Sequence, residues 1–397
     1  MRRRRRNPAS LLALLIPLAL VLGIWLGGHP DSLPGFARNT LVADSDGRLY
    51  EEAVDTIERD YYRKVDRKDL LNSSIGAAVK SLHDQFSNYF SPSAYTGFQE
   101  STEGQFEGVG MTVTADKKGL RINQVYESSP AKQGGLRPGD LITKVDGRPL
   151  AGKSSDEATA LIKGRAGTSV TLTIDDGKGA RDVRLKRAKV DVPVVESKMQ
   201  TQAGHKIAWV HLASFTSGAH GEVGTAVRKL LGDGAQGVVL DLRDNGGGLL
   251  NEAVQIASIF VPDGKVVSTK GRNRPEHVYN ATGGAISGKV PVVVLVNQNS
   301  ASASEIVTGA LQDRKRATVV GTRTYGKGVF QEIERLSNGG ALDITVGEYF
   351  TPSGRNLGGG GVRKGAGITP NVQSEDNPKT KPDEALDKAL ETVAGKL

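Results

Sequence analysis

A chain of 397 residues exceeds one ordinary core, so two or three domains are expected, and 38% hydrophobic against 24% charged residues is a globular rather than a disordered composition. The net charge of +8 rests mostly on residues 2–6, all arginine; with that run set aside no basic stripe interleaved with aromatics remains, which excludes nucleic acid as a partner. Cysteine is absent, which excludes disulfides, thiolate metal sites, a cysteine nucleophile and a lipid-modified cysteine.

The arginine run precedes an apolar stretch over about residues 11–26, broken by Pro17 and Gly23. About 16–18 apolar residues lie near the lower limit for crossing a bilayer, and positive charge before them keeps the N-terminus in the cytoplasm. The pattern predicts a cytoplasmic basic segment over 1–9, a transmembrane signal anchor over 10–27 and a linker over 28–45. The protein is then a single-pass protein of the cell membrane with its bulk outside the cytoplasm. Gly27-Gly28-His29-Pro30 is a poor small-residue cleavage site, which favours an anchor over a signal peptide whose removal would leave the protein secreted.

Residues 46–100 read as a helical packing or dimerisation domain. Ala53, Val54, Ile57 and Tyr61 recur at helical spacing. Asp66 and Asp69 then start a second helix whose apolar face is Leu70, Leu71, Ile75, Ala78, Val79 and Leu82. Over 101–189 the pattern changes to short strands with glycine-rich turns, at 108–113, 120–125, 140–145 and 169–174, interrupted by one helix at Ser155–Ile162, which predicts a small β-rich domain. Residues 190–375 alternate strand and helix. The runs at 238–242, 292–296 and 318–320 are continuously apolar and lead to helices carrying Ala253, Val254, Ile256 and Ala257, or Ile306, Val307, Ala310 and Leu311, so an α/β sheet covered on both faces is expected. The tail, 376–397, closes with an amphipathic helix over 385–397.

Strand-to-helix turns are where open α/β sheets place their sites, and two such turns stand out. Asp244-Asn245-Gly246-Gly247-Gly248 permits a backbone that aims N–H groups outward, as an oxyanion hole requires. Ser300-Ala301-Ser302-Ala303-Ser304-Glu305 crowds small side chains at a helix start, where any of the three serines is also a natural cap. A serine nucleophile needs a base, yet His29, His83, His205, His211, His220 and His277 lie in no catalytic context and no Gly-x-Ser-x-Gly elbow is present. A lysine held neutral by burial serves instead, and Tyr325-Gly326-Lys327-Gly328 puts one in a tight turn after the third strand.

The combination resembles the carboxyl-terminal processing proteases, also called tail-specific proteases, over about residues 49–372. The likeness includes Leu82-His83-Asp84-Gln85-Phe86-Ser87-Asn88-Tyr89-Phe90-Ser91-Pro92, the 240–249 loop, the 300–313 turn and helix, residues 321–331, and Tyr349-Phe350-Thr351-Pro352-Ser353-Gly354-Arg355. The resemblance implies a multidomain α/β architecture: a crotonase-like α/β protease core with an inserted β-rich PDZ domain, preceded by the helical segment and the membrane anchor. It implies a Ser-Lys enzyme whose nucleophile falls on Ser302, whose general base falls on Lys327, and whose lysine-orienting glutamine falls on Gln331. The oxyanion donors fall on the backbone N–H of Ala303 and on that of Gly247 or Gly248. Gly108, Val109, Gly110 and Met111 occupy the PDZ carboxylate-binding loop, and Gly134-Gly135-Leu136-Arg137-Pro138-Gly139-Asp140 is a second PDZ signature. Implied partners are proteins or peptides with free C-termini; no cofactor, metal or nucleotide is implied, and a homo-oligomer is left open.

Three stretches depart from the family pattern. Ile162-Lys163-Gly164-Arg165 stands where relatives often carry an arginine that contacts the active site, Gly358-Gly359-Gly360-Gly361 is richer in glycine than the usual turn, and Pro370-Asn371 replaces proline-aspartate. Two other readings fit the sequence less well. A noncatalytic membrane-tethered PDZ scaffold or holdase has no use for Ser302, Lys327 and Gln331 together. A penicillin-binding enzyme, prompted by Ser129-Pro130-Ala131-Lys132, fails because neither Ser-Asp-Asn nor Lys-Thr-Gly is present.

Overall fold

A computed structural model describes residues 45–177, 179–377 and 379–397; the basic segment, the anchor and most of the linker lie outside them. Among the described residues no helix is long and apolar enough to cross a membrane. The chain divides into two compact units, the first ending at Ser81 and the second running Leu82–Leu397.

In the first unit, helices Ser45–Asp60 and Arg67–Lys80 follow one another. Asp66 caps the second by accepting the Lys68 N–H at 2.7 Å, and Arg67 reaches back to Asp55 and to Glu58. Val54 and Val79 are buried, whereas Leu70, Leu71 and Ile75 are half-buried and Ala78 and Leu82 are exposed, so the apolar face of the second helix is covered only in part.

In the second unit a five-strand antiparallel path runs in the order Met111–Asp116, Gly119–Val125, Leu141–Val145, Ser169–Asp175 and Ala180–Lys186. Buried and partly exposed residues alternate along Ser169–Asp175, as a sheet with one covered face requires. Leu120, Ile122, Ile142, Leu150, Leu172 and Ile174 build a core of their own. Helix Ser155–Ile162 starts in a capping box, with Ser154 N–H on Glu157 Oε2 at 2.9 Å and Glu157 N–H on Ser154 Oγ at 3.2 Å. A two-stranded stem, Gln105–Gly108 against Ala188–Asp191, joins the chain entering this domain to the chain leaving it.

The larger core is a six-stranded sheet ordered Val195–Gln202, His205–Leu212, Gly237–Asp241, Val292–Val296, Thr318–Gly321 and Val372–Gln373, parallel except for its first strand. Both faces are covered, which is why the strands read as unbroken apolar runs. Val238, Leu240, Val292, Val294 and Val319 face helices Ala219–Gly232, Leu250–Ser258 and Ala303–Asp313, while Val239, Val293, Leu295 and Val320 face the C-terminal helix Glu384–Ala394 through Leu386, Ala389, Leu390 and Val393. The strands advance across the sheet in one direction, so the loops after Asp241, Val296 and Gly321 line up at its carboxyl edge.

A second, antiparallel sheet was not expected. It contains Asn88–Phe90, Ala341–Phe350, Lys265–Gly271 and Arg274–Asn280, with Val329–Arg335 paired to Ala341–Phe350. The partly polar faces of these strands give neither a continuous apolar run nor a strict alternation.

Because, among the described residues, the C-terminal helix covers one face of the parallel sheet through Leu386, Ala389, Leu390 and Val393, Leu390→Ala should cost about 2–4 kcal/mol of core stability. The core of the β-rich domain shares no residue with that helix. Calorimetry of the purified protein should show the transition of the parallel-sheet core falling while that of the β-rich domain stays in place.

Candidate active site

The glycine loop after Asp241 is tied down by its first polar residues. Asn245 is fully buried; its Nδ2 donates to Leu212 O at 2.8 Å, its Oδ1 accepts the Gly247 N–H at 2.9 Å, and its carbonyl accepts Ala301 N–H at 3.0 Å and Ser304 Oγ at 2.8 Å. Asp244, in the left-handed region at φ 59°, accepts the Asn299 and Asn297 side-chain amides at 2.7 and 2.9 Å. Those two bonds hold its carboxyl below the usual range. The glycine loop and the serine loop are therefore stitched together from both sides.

The two candidate oxyanion glycines differ in what their N–H groups do. That of Gly247 is committed to Asn245, whereas the bonds from Phe215 N–H to Gly247 O and from Leu249 N–H to Phe215 O flank Gly248 and turn its N–H away from Phe215. Among the described residues the Gly248 N–H has no acceptor. A Cβ on Gly247 would lie 2.8 Å from Ser302 Cβ and 3.0 Å from Ala303 N, so glycine is what lets this loop lie on the serine turn.

Of the three clustered serines, Ser300 donates to Leu242 O and Ser304 to Asn245 O, each at 2.8 Å. Ser302 makes no such bond; its hydroxyl lies beside the buried Tyr349 phenol, whose ionisation burial suppresses. Ser302 stands at the N-terminus of helix Ala303–Asp313 with φ 55° and ψ −113°. A serine in that region stores about 1–3 kcal/mol of strain, and Asn245 and Glu305 hold it there.

Glu305 is wholly buried and accepts four bonds. Oε2 takes the backbone N–H of Ser302 and of Lys327, both at 2.9 Å, and Oε1 takes Gly326 N–H at 2.7 Å and Thr324 Oγ1 at 2.6 Å. Burial pushes this carboxyl upward while the four donors pull it back. The backbones of Ser302 and Lys327 thus converge on one oxygen atom.

Lys327 Nζ donates to Gln331 Oε1 at 2.8 Å rather than to Ser302, and lies 4.5 Å from the centre of the Phe86 ring. Burial lowers its pKa, opposed by the charges of Asp343, Asp84 and Glu305. Burial also raises Asp343, to about 6, with Lys327 opposing and Asp84 adding to the rise. The glycine-rich turn that departs from the family pattern packs on the lysine turn, with Gly328 N–H on Gly361 O at 3.0 Å.

None of the described histidines joins this cluster through a hydrogen bond or ring contact. His220 Nδ1 pairs with Glu252 and His205 Nδ1 with Gln236, while His211 and His277 pack on Trp209 and Tyr279. Sequence reading missed Glu305 as the joint of the site, although the Ser302-x-x-Glu305 spacing was a visible capping signal. Asn245, Asp244 and Thr345 gave no local signal, since their partners are distant in the chain.

In the β-rich domain, Ala131 N–H donates to Val109 O at 2.7 Å and Tyr126 N–H to Gly110 O at 3.1 Å. Two carbonyls of the loop are thereby turned into the domain. Met111–Asp116 is the edge strand of its sheet, which leaves one side for an added strand. A small cavity of about 40 Å³ beside it is lined by Phe106, Gly108 to Met111, Val113, Thr159, Ile162 and Lys163. Lys163, at the divergent position, pairs with Glu100 at 3.0 Å.

The pattern of Peptidase family S41 matches residues 206–374, and that of a PDZ domain matches residues 121–176. The chain is 36% identical over 327 residues to the "Probable CtpA-like serine protease" of Staphylococcus haemolyticus (strain JCSC1435) and, over the same length, to its namesake in Staphylococcus aureus (strain COL). These alignments cover 82% of this chain, and the chain spans 65% of the length of those relatives. Among solved structures, a photosystem II D1 C-terminal processing protease is similar at a TM-score of 0.51 and 29% identity, covering 89% of this chain and 100% of that one. With the S41 pattern and a PDZ pattern on one α/β chain, the protein belongs to peptidase family S41 and is similar to its C-terminal processing proteases.

Proposed function

We propose that this protein is a serine endopeptidase that cleaves proteins near their C-termini through an acyl-enzyme, with Ser302 as nucleophile and Lys327 as general base. The observation that carries the reading is Glu305, which draws a strained serine whose hydroxyl bonds no backbone carbonyl and a lysine whose pKa burial lowers onto one carboxylate. The Lys327 amine turns from Gln331 toward Ser302 and takes its proton as Oγ bonds to the scissile carbonyl carbon. The negative charge on the carbonyl oxygen is met by the N–H groups of Ala303 and Gly248, since that of Gly247 is occupied. The proton passes to the leaving amine as the C–N bond breaks, and water, deprotonated by Lys327, hydrolyses the ester. Gln331 orients the amine between these steps.

The substrate's C-terminus adds a strand along Met111–Asp116, its carboxylate on the N–H groups of Gly108, Val109, Gly110 and Met111 and its terminal side chain in the small apolar cavity beside them. The succession of crossovers along one direction of the sheet fits a crotonase-like core. The arginine run and apolar stretch before residue 28 support a single-pass protein of the cell membrane with its catalytic domain outside the cytoplasm.

Ser302→Ala and Lys327→Ala should each lower kcat/KM on an unfolded protein with an apolar tail by on the order of 10⁴-fold or more, with unchanged circular dichroism. A Ser302→Ala protein that cleaves at the parental rate refutes the reading. Amidating the substrate's C-terminus should raise KM about tenfold, near 1.4 kcal/mol, with little change in kcat. Glu305→Gln sets an amide donor against backbone N–H groups, so kcat should fall about 10- to 100-fold, while Ser302 loses reactivity toward a fluorophosphonate probe.

A further inference from the structure

Residues 82–92 lie over the candidate base and are absorbed by neither the dyad nor the PDZ domain. A chain of hydrogen bonds leads from Lys327 into them. Lys327 Nζ donates to Gln331 Oε1 at 2.8 Å, Gln331 Nε2 to Thr345 Oγ1 at 2.9 Å, Thr345 N–H to Ser87 Oγ at 3.0 Å, and Ser87 Oγ to Asp84 Oδ2 at 2.6 Å. Asp84 Oδ1 also accepts the Phe86 N–H at 3.1 Å, and the Phe86 ring covers the lysine amine at 4.5 Å.

Every bond in the chain donates toward the carboxylate, and this polarity has a cause. An ionised carboxylate only accepts. It draws the Ser87 proton and orients the Thr345 hydroxyl toward itself, which leaves the Thr345 lone pair to receive the Gln331 amide. With Nε2 so occupied, Gln331 must present Oε1 to Lys327.

We propose that Asp84 is a positioning residue for the general base: acting through Thr345 and Ser87 it fixes which face of Gln331 meets Lys327, and with Phe86 it holds the amine on Gln331, turned away from Ser302. The proposal rests on the Ser302–Lys327 reading. Burial disfavours the Asp84 anion, yet bonds from Ser87, Thr345 and Phe86 N–H and the neighbouring Lys327 hold its carboxyl below the usual range. The charged groups around the amine are Asp343 on Ala341–Phe350, Asp84 on residues 82–92 and Glu305 on Ala303–Asp313, and each favours the ammonium form. Removing one of these negative charges lowers the pKa of the amine, so the neutral base persists to lower pH.

The test compares pH profiles of kcat/KM and kcat for the full chain and for Asp84→Asn, Thr345→Val and Thr345→Ser, with Lys327→Ala as reference. Asp84→Asn should move the acid limb of kcat/KM down by on the order of one pH unit and lower kcat, since Gln331 loses its fixed face. Thr345→Val should reproduce the fall in kcat and Thr345→Ser should restore it, a pattern that a merely structural role does not give. Should Asp84→Asn not fold, the Thr345 pair decides on kcat alone. Parental profiles in Asp84→Asn, or parental kcat in Thr345→Val, beside an inactive Lys327→Ala overturn the inference and leave the dyad standing. An active Lys327→Ala overturns the dyad reading, and the inference with it.

Discussion

The Glu305 carboxylate holds the candidate site together from inside the core. A carboxylate moved into a protein interior costs several kcal/mol unless its oxygens are bonded, and Glu305 satisfies both with four donors drawn from two loops. Three of the four are backbone N–H groups, so what the carboxylate fixes is main chain: the strained start of helix Ala303–Asp313 and the turn that carries the lysine. The same four bonds that offset burial keep Ser302 in a conformation the residue would otherwise leave. Stability and geometry are one interaction here, and substitution of Glu305 cannot relieve one without losing the other.

The candidate nucleophile and the groups around the candidate base come from different sheets. Ser302 sits at the carboxyl edge of the parallel sheet, after Val292–Val296, where loops between strand and helix gather by topology. Gln331, Thr345 and Asp343 belong to the antiparallel pair Val329–Arg335 and Ala341–Phe350. Lys327 lies in the turn between the last crossover strand and that pair, so its position reports on both layers. Asn88–Phe90 adds to the far edge of Ala341–Phe350, and the chain then continues through helix Pro92–Glu103 into the stem of the PDZ domain. A single run of chain thus touches the base and leads to the domain proposed to hold the substrate.

The parallel sheet was legible because burial on both faces writes an unbroken apolar run, and 238–242, 292–296 and 318–320 each became a strand. Helix Ser155–Ile162 was found with the bounds it has, because Ser154 and Glu157 form a local capping box. The antiparallel sheet was not legible: Val329–Arg335 and Ala341–Phe350 mix Gln331, Thr345 and Asp343 with their apolar residues, and the residues that blurred the pattern are those that surround Lys327. Ser300, Ser302 and Ser304 could not be told apart by spacing, because what separates them is the acceptor each hydroxyl finds on a distant loop. Gly247 and Gly248 were equivalent in the sequence because what separates them is the fold of the loop itself, in which the Asn245 side chain accepts the N–H of the first.

The electrostatics around Lys327 are a contest whose terms can be ordered. Burial favours the neutral amine and is the largest single influence, yet Asp343, Asp84, Glu305 and the face of Phe86 all favour the charged form. The amine donates to Gln331 and not to Ser302, which is the arrangement observed. Two of those charges are not alike. Glu305 is locked by its four donors, and Asp343 gains a proton near neutrality, so neither can be withdrawn without breaking the core or changing the pH. Asp84 and Phe86 instead ride on a short stretch outside both sheets. Movement there would remove a carboxylate and a ring from the amine at once, and both changes push the same way, toward a neutral amine free to face Ser302.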